Sequence, residues 1–70
     1  MKVAIVTGAL GGIGKASALG LIQIGYHVVG MGRKDNPDLT DFNSLPFTYV
    51  SGDVSVAEDR EKLFETAKSL

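Results

Sequence analysis

An apolar run from Val3 to Val6 breaks at Thr7-Gly8-Ala9-Leu10-Gly11-Gly12-Ile13-Gly14 and gives way to a segment rich in Ala, Leu and Ile. The continuous β-branched stretch Val3–Thr7 has the pattern of a strand buried on both faces of a parallel sheet, and the segment from Ile13 to Ile24 that of a helix covering it. Between them stand four glycines within seven positions. One permits a tight turn, another lets the backbone approach a ligand where a Cβ would collide, and a third lets the helix pack closely on the strand. A strand, turn and helix joined in this way form the entry of a dinucleotide-binding βαβ unit. Free N–H groups in the first helical turn, with the helix dipole, favour the charge of a phosphate there.

Length sets the next bound. Seventy residues make one small domain at most, whereas a whole dinucleotide fold needs two mononucleotide halves and roughly twice this length. The expectation is a piece of such a fold: residues 1–70 as a partial NAD(P)-binding domain, its first mononucleotide-binding half. At this size only about 60% of the unfolded surface is buried, so the core is marginal unless something else covers it. A formal net charge of −1 with seven Lys and Arg spread along the chain argues against a nucleic-acid surface, which needs clustered positive charge. The absence of cysteine removes thiol catalysis, zinc-thiolate sites and disulfide staples. Met1-Lys2 ahead of the apolar run resembles the start of a leader, but Thr7-Gly8 breaks the run and no small-residue cleavage site follows. No apolar stretch is long enough to span a bilayer. Cytoplasm is the expected compartment.

Further along, Gly25 is a natural stop for the first helix, and Gly20 is a weak spot in it where a neighbour could approach. Tyr26–Met31 reads as a second strand. From Gly32 to Pro46 the chain is polar and turn-rich, with room for one short helical turn within Leu39–Ser44. Phe47–Ser51 reads as a third strand ended by Gly52-Asp53. Ser55-Val56-Ala57-Glu58 has the form of a capping box, so a second helix is expected from Val56 to the end, with Leu63, Ala67 and Leu70 on one face. The right-handed crossover rule arranges these elements as an α/β, partial Rossmann (doubly wound) fold: three parallel strands in order 3-2-1 with helices on both faces. The first strand would be left as an unpaired apolar edge, which predicts homo-oligomerisation or other association through it.

These residues together resemble the N-terminal third of a short-chain dehydrogenase/reductase, and the resemblance covers essentially all 70 positions. Thr7–Gly14 fits the family's T-G-x-x-x-G-x-G pattern, and through Gly8, Gly11 and Gly14 also the T-G-x-x-G-x-x-G spacing of the extended subclass. Gly25-Tyr26-His27-Val28-Val29 followed by Arg33, and Gly52-Asp53-Val54-Ser55, resemble the single-domain subclass. The resemblance implies an oxidoreductase that transfers hydride between a nicotinamide and a carbonyl or alcohol substrate. It implies cofactor contacts from Thr7, Gly8, Leu10, Gly11, Gly12, Ile13 and Gly14, with Asp53 and Val54 against adenine. The family's chemistry uses a Tyr with a Lys four residues on, plus a Ser. Tyr26 and Tyr49 have Gly30 and Asp53 at that place, so no catalytic residue is assigned and the chain alone is expected to be inactive.

At the end of the second strand of a dinucleotide fold an acid hydrogen-bonds the ribose 2′-hydroxyl of NAD, while an Arg accommodates the 2′-phosphate of NADP. Gly32 stands where the resembling family's NAD-preferring members carry Asp, and Arg33 follows, able to bind phosphate bidentately, with Lys34 adding charge. NADP is therefore expected over NAD. The plainer alternative for Arg33 is an exposed side chain paired with Asp35, and for Asp53 a turn residue ahead of the helix. Lys15 reads as a solvated lysine, and His27, with no second His to share a metal, as a core or edge residue.

Two other functions fit parts of the pattern. A P-loop hydrolase is suggested by Gly14-Lys15, but Ala16 stands where that motif needs a hydroxyl and Ala9 where it needs its opening glycine. A non-catalytic nucleotide-binding or interaction module of the same fold would keep the glycine turn without the chemistry.

Overall fold

The computed structural model describes residues 2–70; the Met1 end of the leader-like stretch lies outside them. The elements follow in the order β1 (Lys2–Thr7), α1 (Gly12–Gln23), β2 (Tyr26–Gly32), a 3-10 turn (Thr40–Phe42), β3 (Phe47–Ser51) and α2 (Ala57–Lys68). All strand pairing is parallel. β2 lies between β1 and β3, with Lys2 opposite Tyr26, Thr7 opposite Met31, and Gly32 opposite Ser51. This is the expected partial Rossmann architecture.

The alternation of side chains along β2 divides the interior in two. Val28 points to the α1 layer, where it meets Ala18, Phe42, Ala4, Val6 and Phe47. Val29 and Met31 point to the other layer and pack with Val50, Val3, Ala67 and Leu63. Val28, Val29 and Met31 are essentially sealed from water, and burying a side chain of this kind stabilises by about 1.5–3 kcal/mol. Helices therefore cover both faces. β1, as the edge strand, is only partly covered, with Ile5 exposed along it.

The connection between β2 and β3 contributes more than its polar composition suggests. Phe42 is buried in the short 3-10 turn and stacks on Phe47, ring centroids 3.8 Å apart. α1 ends as expected, with the Gly25 N–H donating to the Ile22 carbonyl at 3.1 Å. Among the described residues nothing lies within 4 Å of a Cβ built on Gly20, so none of them uses that gap.

The capping box does not form. Val56 is the N-cap of α2 and makes no side-chain cap bond. The Ser55 hydroxyl and N–H both donate to one oxygen of Asp53, at 2.8 and 2.9 Å, so Ser55 belongs to the turn before the helix. Leu63 and Ala67 face the sheet as expected, whereas Leu70 lies past the helix end and is exposed.

Candidate functional site

The C-terminal ends of the three strands enclose an open cleft of about 450 Å³, lined by Thr7, Gly8, Leu10 and Gly11 on one side. Met31, Gly32, Arg33, Lys34, Gly52 and Val54 line the other. Ligands of open parallel sheets bind in a crevice at this end. Met31 and Gly52 are not among the expected site residues, while Gly32 is the expected place of the missing ribose-side carboxylate. The signal that marks them is their place at the carboxyl ends of β2 and β3.

The glycine turn has the shape its sequence implies. Gly8 adopts φ +67°, a left-handed conformation that strains any residue with a Cβ. Its carbonyl accepts the Gly11 N–H at 3.1 Å, and a Cβ on Gly14 would fall 1.9 Å from the same oxygen. Gly14 is thus the residue that lets the helix close onto the turn. Gly12 differs: a Cβ there meets nothing within 4 Å. The first intrahelical bond comes from Lys15 N–H to the Gly11 carbonyl at 2.7 Å, and among the described residues no acceptor engages the N–H groups of Gly12, Ile13 or Gly14. There is no acid in the first turn of α1 and no side-chain cap. Ile13 is 87% exposed, which removes the core role open to it from sequence. These three residues lie at the helix start and do not line the cleft.

Arg33 leaves β2 with its side chain 81% exposed and one guanidinium nitrogen 3.6 Å from Asp53. Its partner is therefore Asp53, not Asp35. The register explains this: Gly32 lies opposite Ser51, so residues just beyond both strands emerge side by side. Asp35 instead accepts the Ser51 hydroxyl at 2.9 Å. The Ser55 N–H and hydroxyl bonds hold the Asp53 carboxyl below its usual range, and the Arg33 charge acts in the same direction. Asp53 itself faces this turn and does not line the cleft, whereas Val54 does.

Lys15 is not merely solvated. Its ammonium lies 2.7 Å from the Asp41 carboxylate, across to the β2–β3 connection, and that bond raises its pKa. A P-loop lysine must reach phosphates, and this one is engaged elsewhere and does not line the cleft. His27 shares a 2.8 Å hydrogen bond with Thr48, a structural role. No cluster of potential metal ligands is found among the described residues.

The sequence model of the short chain dehydrogenases matches residues 2–70. The chain belongs to the short-chain dehydrogenase family. Among solved structures it is similar to a short chain dehydrogenase/reductase family oxidoreductase from Aeromonas hydrophila, with 30% identity and a TM-score of 0.84 over 99% of this chain and 34% of that one. Glucose dehydrogenase of Caenorhabditis elegans, in its apo form, superposes with a TM-score of 0.83 at 26% identity, over 97% of this chain and 32% of that one. A 4-hydroxyisoleucine dehydrogenase complexed with NADH gives 0.76 at 27% identity, over 97% and 28%. This short-chain dehydrogenase chain spans about a third of the length of these structures. No curated protein sequence matches it significantly. No helix among the described residues is long and apolar enough to cross a membrane.

Proposed function

We propose that residues 1–70 form the adenosine-binding part of an NADP(H)-dependent oxidoreductase, the first mononucleotide-binding half of its cofactor domain. The observation that carries this reading is Arg33 at the mouth of the cleft, beside a Gly32 that offers no carboxylate to repel a 2′-phosphate. The residues fit such a cofactor. The open N–H groups of Gly12, Ile13 and Gly14 suit its pyrophosphate. The positions of Thr7, Gly8, Leu10, Gly11 and Val54 around the cleft suit close backbone approach, and Lys34 adds charge at the ribose end. When bound, the cofactor would supply hydride exchange with a carbonyl or alcohol carbon. The residues of this chain would hold the adenosine end.

Binding NAD is the second reading, favoured by the NADH complex of 4-hydroxyisoleucine dehydrogenase. The Arg33 pairing with Asp53 supports it too, since that guanidinium must be drawn away to meet a phosphate. Calorimetric titration with NADPH and with NADH, repeated on Arg33→Ala, separates the two. A preference for NADPH that disappears in the variant is expected; equal binding that ignores the substitution would overturn the NADP assignment. Association through the open edge of β1 completes the proposal, and sedimentation should show species larger than one chain.

A further inference from the structure

Gly32 faces a side chain that already occupies the space a substituent would need. A Cβ built on it lies 2.8 Å from the Tyr49 hydroxyl, 3.3 Å from the same ring and 3.3 Å from Leu10. That hydroxyl is not free to retreat without loss. It donates to the Lys34 carbonyl at 2.7 Å, across from the strand on which Gly30 is paired with Tyr49. One alternation further on, the Ser51 hydroxyl donates to Asp35 at 2.9 Å. The turn that carries Arg33 and Lys34 is therefore bound to β3 at two successive same-side positions, and a side chain at position 32 would have to displace the nearer hydroxyl.

We propose that Tyr49 is a specificity-determining positioning residue: its hydroxyl fixes the Arg33–Lys34 turn to read an anionic group on the ribose, and the same contact competes for space with a carboxylate at position 32 that would read a ribose hydroxyl. The inference rests on the dinucleotide reading of the cleft. Its physical content is a competition for space. A Cβ at 32 requires the Tyr49 hydroxyl to shift from its place on the Lys34 carbonyl, so the acid that selects an unphosphorylated ribose and the tether that steadies Arg33 work against one another. Selection for the phosphate then depends on three residues, Gly32, Arg33 and Tyr49, of which Tyr49 comes from a different strand and does not line the cleft.

The test uses the two halves of the ribose distinction as probes: adenosine 2′,5′-bisphosphate against adenosine 5′-monophosphate, titrated into the chain, Tyr49→Phe, Gly32→Ala and the double variant. Tyr49→Phe keeps the ring, and thermal melting verifies that it remains folded. The expected result is that Tyr49→Phe lowers affinity for the bisphosphate by about fivefold, the effect of losing one ordinary hydrogen bond, while affinity for the monophosphate is unchanged. Gly32→Ala should lower the affinity for the bisphosphate likewise, and the double variant no more than either alone, because both act on one bond. A merely structural role would lower both affinities together. An unchanged ratio in Tyr49→Phe, or full additivity in the double variant, would overturn the role of Tyr49 and leave the cofactor reading intact. Failure of the unaltered chain to bind either probe would overturn the cofactor reading itself.

Discussion

The turn into α1 and the turn into α2 both follow a parallel strand at the same end of the sheet, yet their polar groups are disposed in opposite ways. Ahead of α1 the turn is built of glycines, carries no acid, and leaves the N–H groups of Gly12, Ile13 and Gly14 without acceptors. Ahead of α2 the chain supplies its own negative charge. Glu58 and Asp59 lie in the first helical turn, the Asp59 carboxylate accepts the Asp53 N–H at 2.9 Å, and Asp53 accepts both donors of Ser55. A helix start attracts anions through its dipole and unpaired donors. The second start carries acids of its own in the first turn, and the first carries none.

The sharpest way to break this contrast is at Gly14. Gly14→Ala should lower stability by about 3 kcal/mol or more, since its Cβ meets a backbone oxygen that cannot move independently of the turn. The corresponding change in the other turn, Gly52→Ala, meets only the tip of Met31 and the Asp59 side chain at 3.0 and 3.1 Å and should cost about 1 kcal/mol. Thermal melts of the two variants compare them directly, and equal losses would refute the difference in tightness.

Gly12→Asp tests the charge itself. A Cβ at Gly12 meets nothing within 4 Å, and an acid in the first turn should stabilise the helix by about 0.5 kcal/mol. The same carboxylate should weaken NADPH binding by about tenfold or more, from repulsion at about 4 Å in a partly shielded site. Stability and affinity are thus expected to move in opposite directions, by melting and by titration. In the other turn, Asp59→Asn should lower stability by about 1 kcal/mol through a weakened bond to the Asp53 N–H, with no effect on cofactor affinity.

The smallest effect concerns acid pH. The carboxyl of Asp53 is held below its usual range, first by Ser55 and then by Arg33. A depressed folded-state pKa contributes stability that is fully present above the ordinary carboxylate value and is lost as pH falls through the folded one. Asp53→Asn should therefore lower stability slightly at neutral pH, where the charged carboxylate contributes, and flatten the acid limb of the stability profile below about pH 4. A limb as steep as before would assign the acid sensitivity to other carboxylates.

Much of this molecule could be read from its residues because local pattern and tertiary environment agree. β3 occupies Phe47–Ser51 as expected, and the strand order follows from crossover handedness. The glycine turn was legible because Gly8 and Gly14 answer to backbone geometry, which depends little on distant residues. What escaped was decided by which partner each side chain found. Ser55 looked like a cap until Asp53 took both its donors; Arg33 met Asp53 because two strand ends emerge together; Lys15 found Asp41 in the long connection. Phe42 was hidden in a polar stretch, and only its stacking on Phe47 reveals it as core. Met31 and Gly52 join the cleft by register alone.

The parallel pairing of β2 with both neighbours has a kinetic consequence. Neither contact is made by a hairpin: Lys2 must find Tyr26, and Val28 must find Phe47, each across an intervening segment that has to be ordered first. Chains whose contacts are this non-local pay loop-closure entropy before any strand bond rewards it, and they fold slowly for their size. Since β1 and β3 each pair with β2 and not with one another among the described residues, the central strand is the element that joins the sheet. Trimming Val28 or Val29 should slow refolding, whereas trimming Ile5 on the open edge should chiefly hasten unfolding, a division that the two arms of a chevron plot would display.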